Sequence, residues 1–338
     1  MKIGIHHTPG SFSERWISYC QKKHIEYKIV NAYDKNIINL LNDCDIFIWN
    51  HLQNKYKDVL FAKQLLFSLS IAGKRVFPDF NTCWHYDDKI GQKYLLEAIN
   101  APMVPSYIFY DKVEALNWLK KTNFPKVWKL SRGAGSANVR LVKNKYIAKQ
   151  LIKKAFSSGF SQYNRWAAIK ERYYLFYKNK RGIFWLIKGL AYFFIVTEFA
   201  KMHPKEKGYI YFQEFIPNNL FDIRVIVIGN KAFALKRLVR KNDFRASGSG
   251  NIKYNRNEID ERCIKIAFEV NKNIQAQCIA YDFIFDSIGN PLILEISYGF
   301  SVQAYDKCEG YWDSNLKWHD VSFNPQEWIL ENLITENS

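Results

Sequence analysis

Ala280-Tyr281-Asp282-Phe283-Ile284-Phe285-Asp286 and Pro291-Leu292-Ile293-Leu294-Glu295-Ile296-Ser297 are two apolar runs separated by the turn residues 287–290. Runs of this length, bounded by Gly and Asn, read as the two strands of one hairpin. Each has an acidic residue embedded in it, Asp282 and Glu295. A turn at Gly289-Asn290 brings the two onto facing strands and one face of the sheet. Two buried carboxylates repel, and their pKa values rise, unless a cation lies between them. Hard oxygen ligands beside a phosphate suit Mg²⁺. Acids that simply face solvent are the plainer reading, so the residues upstream have to decide.

Upstream of this hairpin, a helical pattern over 258–273 follows a second strand pair. Phe221-Asp222-Ile223-Arg224-Val225-Ile226-Val227-Ile228 closes on a Gly229-Asn230 turn, and its partner over 232–239 carries Lys236 and Arg237. A basic loop with Asn242-Asp243-Phe244-Arg245 comes next, ending in the Gly and Ser residues 247–250. A strand over 209–215 precedes the pair and ends in Gln213-Glu214-Phe215-Ile216. Further back, Lys126-Val127-Trp128-Lys129-Leu130 runs into Gly133-Ala134-Gly135-Ser136-Ala137 and a strand over 139–142. A small-residue tip of this kind can lay backbone N–H groups against phosphate oxygens, although many hairpins use Gly and Ser only to turn. Helical patterns over 87–100 and 112–121 flank a strand over 106–110. In residues 1–80, strands at 3–6, 27–31, 46–49 and 75–77 alternate with helical patterns at 14–22, 37–42 and 56–71, as in a parallel α/β unit. The first turn, His6 to Ser11, lacks the glycine spacing of a dinucleotide-binding loop.

This order of motifs resembles the ATP-grasp superfamily of carboxylate–amine ligases, most closely the ribosomal-protein glutamate ligase type. The resemblance covers residues 87–301, with 165–207 as an insertion. It implies an α/β chain (α+β lobes): an ATP-grasp fold behind an N-terminal Rossmann-like domain. The domains would run 1–85, 86–212 and 213–338. It further implies that Lys89 and Lys129 hold nucleotide phosphates and that Gly133, Ala134, Gly135 and Ser136 belong to a lid. Gln213, Glu214, Phe215 and Ile216 would form the hinge that pairs with adenine, with Asp222 and Lys236 also at the nucleotide. Arg224, Arg237 and Arg245 would face the phosphates or the acid substrate. Asp282, Glu295 and Ser297 would hold Mg²⁺, Ser297 standing where the family has Asn, which weakens a second metal position. ATP and Mg²⁺ are the implied cofactors, with a small-molecule carboxylate and an amine as substrates.

The chemistry suits that inventory. A carboxylate joins an amine in water only after activation, here as an acylphosphate formed at the γ-phosphate of ATP. The charge that accumulates on phosphoryl oxygens is met by Mg²⁺, Lys and Arg. A fixed cation, Arg237 or Arg245, would meet the tetrahedral intermediate of the second step. A lid would keep water from the acylphosphate.

Composition bounds the rest. The 338 residues suffice for two or three lobes, and 48% hydrophobic residues exclude a disordered chain. Basic residues number 49 against 32 acidic, a net charge of +17. Nucleic acid, an acidic membrane surface or an anionic metabolite could each answer it. The site cations absorb part of the excess. Another part lies in 165–207, where ten Lys and Arg face three Glu among eleven aromatic residues. That stretch reads either as a membrane-interface segment or as a helical lobe with one solvated face. The longest uncharged run there, 189–197, is far too short to span a bilayer. The six cysteines show no metal spacing, and His6, His7, His51 and His85 read as structural. A cytoplasmic location follows, peripheral on the inner membrane face if 165–207 docks.

The tail combines Tyr305, Tyr311, Trp312, Trp318, His319 and Trp328 with Asp306, Glu309, Asp313 and Asp320, which suits sugar stacking or simple packing equally. Its pattern through Asn324-Pro325-Gln326-Glu327-Trp328 resembles ATP-grasp proteins of bacterial surface-polysaccharide pathways. That resemblance implies attachment of an amino acid to a uronic acid or amino sugar, on a glycan or its lipid-linked precursor. A peptide-type ligase and a non-catalytic binder of nucleotide or anionic polymer are the alternatives. No nucleic acid partner is expected, and the oligomeric state is open.

Overall fold

The computed structural model describes residues 1–132, 138–161, 205–240, 244–246 and 248–335. The lid residues 133–137, Asn242, Asp243 and all of 165–207 except Lys205, Glu206 and Lys207 therefore lie outside the described residues. The chain divides into two units by packing: residues 1–104 with 216–338, and residues 105–215. Residues 86–104 thus pack with the first and last parts of the chain.

The first unit opens with β1 (Lys2–His6), α1 (Phe12–Lys23), β2 (Glu26–Val30), α2 (Ile37–Leu40), β3 (Ile46–Ile48), α3 (Tyr56–Ile71) and β4 (Arg75–Phe77). The four strands are parallel in the order β2-β1-β3-β4, the doubly wound arrangement expected of strand–helix alternation. Ser11 caps α1 by accepting from the Ser13 amide, and His24 ends it in the left-handed region at φ 53°. Two helices follow, α4 (Phe80–Cys83) and α5 (Lys89–Ala98).

The second unit holds β5 (Ser106–Phe109), α6 (Lys112–Lys121), β6 (Lys126–Lys129), β7 (Val139–Val142), α7 (Lys145–Ala155) and β8 (Ile210–Glu214). Its antiparallel sheet runs β5-β8-β6-β7. One face, with Phe109, Trp128 and Phe212, is covered by Leu119 of α6 and Ile152 of α7. The sequence reading has no helix at α7, although Asn144 accepts from the Ile147 amide as its cap and apolar residues recur at helical spacing.

The chain then returns to the first unit with β9 (Phe221–Ile228), β10 (Lys231–Leu238), β11 (Ile252–Lys253), α8 (Glu261–Ile274), β12 (Cys278–Phe285), β13 (Pro291–Ser297), β14 (Tyr311–Asp313), β15 (Trp318–His319) and α9 (Pro325–Thr335). The sheet order is β13-β12-β9-β10-β14-β15, with β11 beside β10. Alternation gives it two different faces. Ile223, Val225, Val227, Ile279 and Tyr281 pack with α8 residues such as Cys263 and Ala267. On the other face, Ile226, Ile228, Phe233, Leu235, Cys278 and Ala280 share a core with Ile3, Trp16 and Leu330. Among the described residues no helix is long and apolar enough to cross a membrane.

Most tail aromatics are part of this interior. Trp312, Tyr305 and Trp328 are buried, and Tyr311 packs on Trp328 and stacks on His319. Asp306 pairs with Arg15 and Asp313 with His319. Packing therefore accounts for them.

Candidate active site

The apolar face shared with the N-terminal strands turns charged toward the other end of β9, β10 and β12. Glu295, Asp282 and Arg224 lie in one row across β13, β12 and β9, since Asp282 is the direct cross-strand partner of both others. Two residues along, Asp222 stands opposite Arg237 of β10. Directly opposed residues of antiparallel strands share a face, so all five project from the same side. An irregularity in the pairing makes this possible. Beyond Asp282 the register shifts, leaving Leu294 as an extra residue on β13. Without that bulge Glu295 would oppose Tyr281 and point to the far face.

The side chains form one buried network. Arg237 donates from Nε and Nη2 to the two Asp222 oxygens, both at 2.6 Å, and its Nη2 lies 3.0 Å from Asp282. Arg224 makes the second fork, from Nε and Nη2 to Asp282 at 2.5 and 2.8 Å. Burial pushes the Asp282 pKa up, but Arg224 and Arg237 more than offset it and hold the carboxyl at about 2. Asp222 goes the other way: burial raises it and outweighs the hydrogen bonds and charge of Arg237. Burial also opposes the charge on Arg224 and Arg237, and the neighbouring Asp282 overrides it, so both titrate above the usual arginine range. The cation demanded by buried acids is thus supplied at Asp282 by two guanidiniums. Tyr305, absent from the sequence-derived site, is buried with its hydroxyl beside Arg224.

Lys89 reaches the same row from α5. Asp88 caps that helix by accepting from the Ile90 and Gly91 amides at 3.1 Å, which makes Lys89 its first residue. The Lys89 ammonium, 6% exposed, lies 3.4 Å from Glu295. Ser297, two residues along on the same face, donates to the Gly299 carbonyl. Asp282, Glu295 and Ser297 offer only hard oxygens, matching the ligand chemistry of Mg²⁺. Among the described residues no group of three or more His, Cys, Asp or Glu could hold a metal by itself. Mg²⁺ is usually held through one or two carboxylates together with nucleotide phosphates rather than by a protein cage.

One predicted member stands apart. Lys236 is on the opposite face, paired with Glu258 at 3.2 Å and lying over the Phe221 ring. Arg245 lies beyond β10, with its guanidinium 5.9 Å from the Phe244 ring.

In the second unit, Gln213 and Lys129 occupy the sheet face away from α6 and α7, because alternation along β8 and β6 opposes them to Phe212 and Trp128. The Gln213 amide donates to Ser106 Oγ at 3.1 Å, while its carbonyl oxygen is buried without a hydrogen-bond partner among the described residues. Glu214 and Lys126 share the other face as an ion pair, at 2.6 and 2.7 Å, and Tyr107 also donates to Glu214. The sequence reading has no such pair, though Lys126 and Glu214 sit at the ends of their strands. The Glu214 amide donates to the Pro105 carbonyl as the strand ends, and Phe215 and Ile216 follow beyond it.

The two lysines of β6 therefore have different expected roles. Lys129→Met should raise KM for ATP by about tenfold or more, the loss of one charge-assisted phosphate contact. Lys126→Met should leave KM within about twofold but lower Tm, because it strands a partly buried carboxylate. Steady-state kinetics and thermal melts on both variants check this, and equal KM effects would remove the distinction.

Comparison with known proteins supports the resemblance to the ATP-grasp superfamily. The RimK-like ATP-grasp domain family matches residues 200–312. The α-aminoadipate–LysW ligase LysX of Saccharolobus solfataricus is 23% identical over 281 residues, covering 81% of this chain and 84% of that protein. D-alanine–D-alanine ligase from Bacillus anthracis, solved with ATP, superposes with a TM-score of 0.57 at 12% identity, over 99% and 97% of the two chains. The biotin carboxylase domain of Hydrogenobacter thermophilus 2-oxoglutarate carboxylase, solved with MgADP, gives a TM-score of 0.58 at 13% identity, over 100% of this chain and 70% of that one. Residues 200–312 carry a RimK-like ATP-grasp domain, which supports the ATP-grasp superfamily of carboxylate–amine ligases for this chain. More narrowly, it is similar to the RimK-like group through residues 200–312. It is an enzyme that forms carbon–nitrogen bonds, in a superfamily that works with ATP and Mg²⁺.

Proposed function

We propose that this enzyme joins an amino acid to a small-molecule partner through an acylphosphate, with the charged end of the sheet as its catalytic face. The observation that carries this reading is the fork-to-fork network of Asp222, Arg237, Asp282 and Arg224, with Glu295 beside it. Lys129 and Lys89 bind phosphate oxygens, and Gln213 to Ile216 meet the adenine. Asp282 and Glu295 would hold Mg²⁺, which when bound screens the phosphate charge. Arg237 is fixed against two carboxylates and 9% exposed, whereas Arg224 is 21% exposed. Arg224 is therefore the cation that meets the charge developing on the reacting carboxyl, and Arg237 holds it in place through Asp282.

An amino acid as one substrate is favoured by the name of the curated relative, a ligase of α-aminoadipate. Attachment to a uronic acid or amino sugar rests on motif order alone, because packing consumes the tail aromatics that would form a sugar platform. The test is ADP release over a panel of amino acids and amine or carboxylate partners, with hydroxylamine to trap the acylphosphate as a hydroxamate. Substrate-dependent ADP together with a hydroxamate is expected. Nucleotide binding without turnover on any pair would favour a non-catalytic binder.

A further inference from the structure

The net charge of +17 is distributed very unevenly. The unit of residues 1–104 and 216–338 carries 27 basic and 26 acidic residues, whereas residues 105–215 carry 22 against six, a balance of +16. The cations of the catalytic face are therefore matched by acids in their own unit and explain none of the excess.

Much of the excess lies on described structure. Eight exposed lysines fall between residues 112 and 154, on or beside α6 and α7, against two exposed acids, Asp111 and Glu114. Asp111 is occupied as the cap of α6. None of the eight lysines has an acidic partner among the described residues. In the other unit, surface cations such as Lys2, Lys28, Arg15 and Lys93 are paired. Lys145, Lys149 and Lys153 follow one another at i, i+4 spacing along α7, a like-charge series that costs the isolated helix stability. Between the helices runs a shallow depression of about 480 Å³, lined by Val113, Leu116, Leu119, Tyr146, Lys120 and Lys149. Of its hydrophobic lining residues, Val113 and Tyr146 are the most open to solvent, 64% and 71% exposed. The helices cover the sheet face opposite Lys129 and Gln213, so this charge is not at the nucleotide.

We propose that the α6–α7 face docks this enzyme on an anionic phospholipid bilayer. Strongly hydrated ammonium groups on flexible stems, with few acids among them to set a register, match a continuous sheet of charge better than a partner with its own pattern. Each lysine near such a surface adds roughly 1 kcal/mol of attraction, and an exposed Tyr sits well at headgroup depth. Nucleic acid is less well matched, since guanidinium forks, the usual readers of base edges, are scarce on these helices.

Flotation of the full chain with phosphatidylcholine–phosphatidylglycerol vesicles, and with phosphatidylcholine alone, tests this without any substrate, so failure would leave the ligase reading untouched. Binding only to the anionic vesicles, weakened by salt, is expected. The variant Lys145→Gln/Lys149→Gln/Lys153→Gln should bind about a hundredfold more weakly. Its Tm should be unchanged or higher, since the like-charge series is relieved. No wild-type binding at low salt overturns the proposal, as does variant binding equal to wild type, which would move the contact to residues 162–204. Binding of an RNA oligonucleotide in the absence of vesicle binding also overturns it.

Discussion

Asp282→Asn is expected to lower the melting temperature by on the order of 10 °C and turnover by about a hundredfold or more. The substitution keeps the shape of the side chain and removes its charge. Arg224 then loses both of its charged acceptors, and Arg237 keeps only Asp222. Breaking a buried pair from one side costs about 3–5 kcal/mol because the remaining charge stays desolvated. Removing the pair from both sides separates the two effects. Arg224→Met/Asp282→Leu should recover most of the stability, since well-packed apolar substitutes for buried ions are often neutral, while turnover stays lost. Recovery of turnover in that double variant would show that the network is structural only.

The second large effect is on pH. His51 and His85 are buried, and burial lowers their pKa values from 6.5 to about 3 and about 4. The unfolded chain therefore binds protons that the folded chain refuses. Stability is fully present above the unfolded value near 6.5 and is lost as pH falls toward the folded values. At about pH 5 each histidine costs about 2 kcal/mol relative to neutral pH, about 4 kcal/mol together. Asp222 and Asp79 are raised by burial and act in the opposite sense nearer the carboxylate range. Asp282, held at about 2, enters only in strong acid. Urea midpoints at about pH 7.5 and about pH 5 read the drop, and His85→Leu should remove about 2 kcal/mol of it. A midpoint that stays constant across that window would contradict the burial argument.

The contrast between these residues shows what the sequence could reveal. Strand–helix alternation in residues 1–80 made the parallel unit legible, and the Gly229-Asn230 turn fixed more than a hairpin. A two-residue turn sets register, so the pairing of Asp222 with Arg237 follows from counting back on both strands. The alignment of Asp282 with Glu295 does not follow from counting, because the bulge at Leu294 carries no sequence mark. Nor does the meeting of Asp282 with Arg224, whose strands are separated by β10, β11 and α8. The sequence reading has no helix at α9, although Asn324 accepts from the Gln326 amide, Pro325 is at its first position and Glu327 lies in its first turn.

The two halves of the first unit have a further consequence, for the order in which the protein forms. Ile3, Ile5, Phe12 and Trp16 share their core with Trp328, Ile329 and Leu330, and the Trp16 indole donates to the Gln326 carbonyl. The core begun by β1 and α1 therefore waits for helix α9, more than 300 residues later, before it is complete. Residues 105–215, contiguous and with their own core, have no such wait. On the ribosome the middle of the chain has its partners at hand while the beginning still exposes apolar surface.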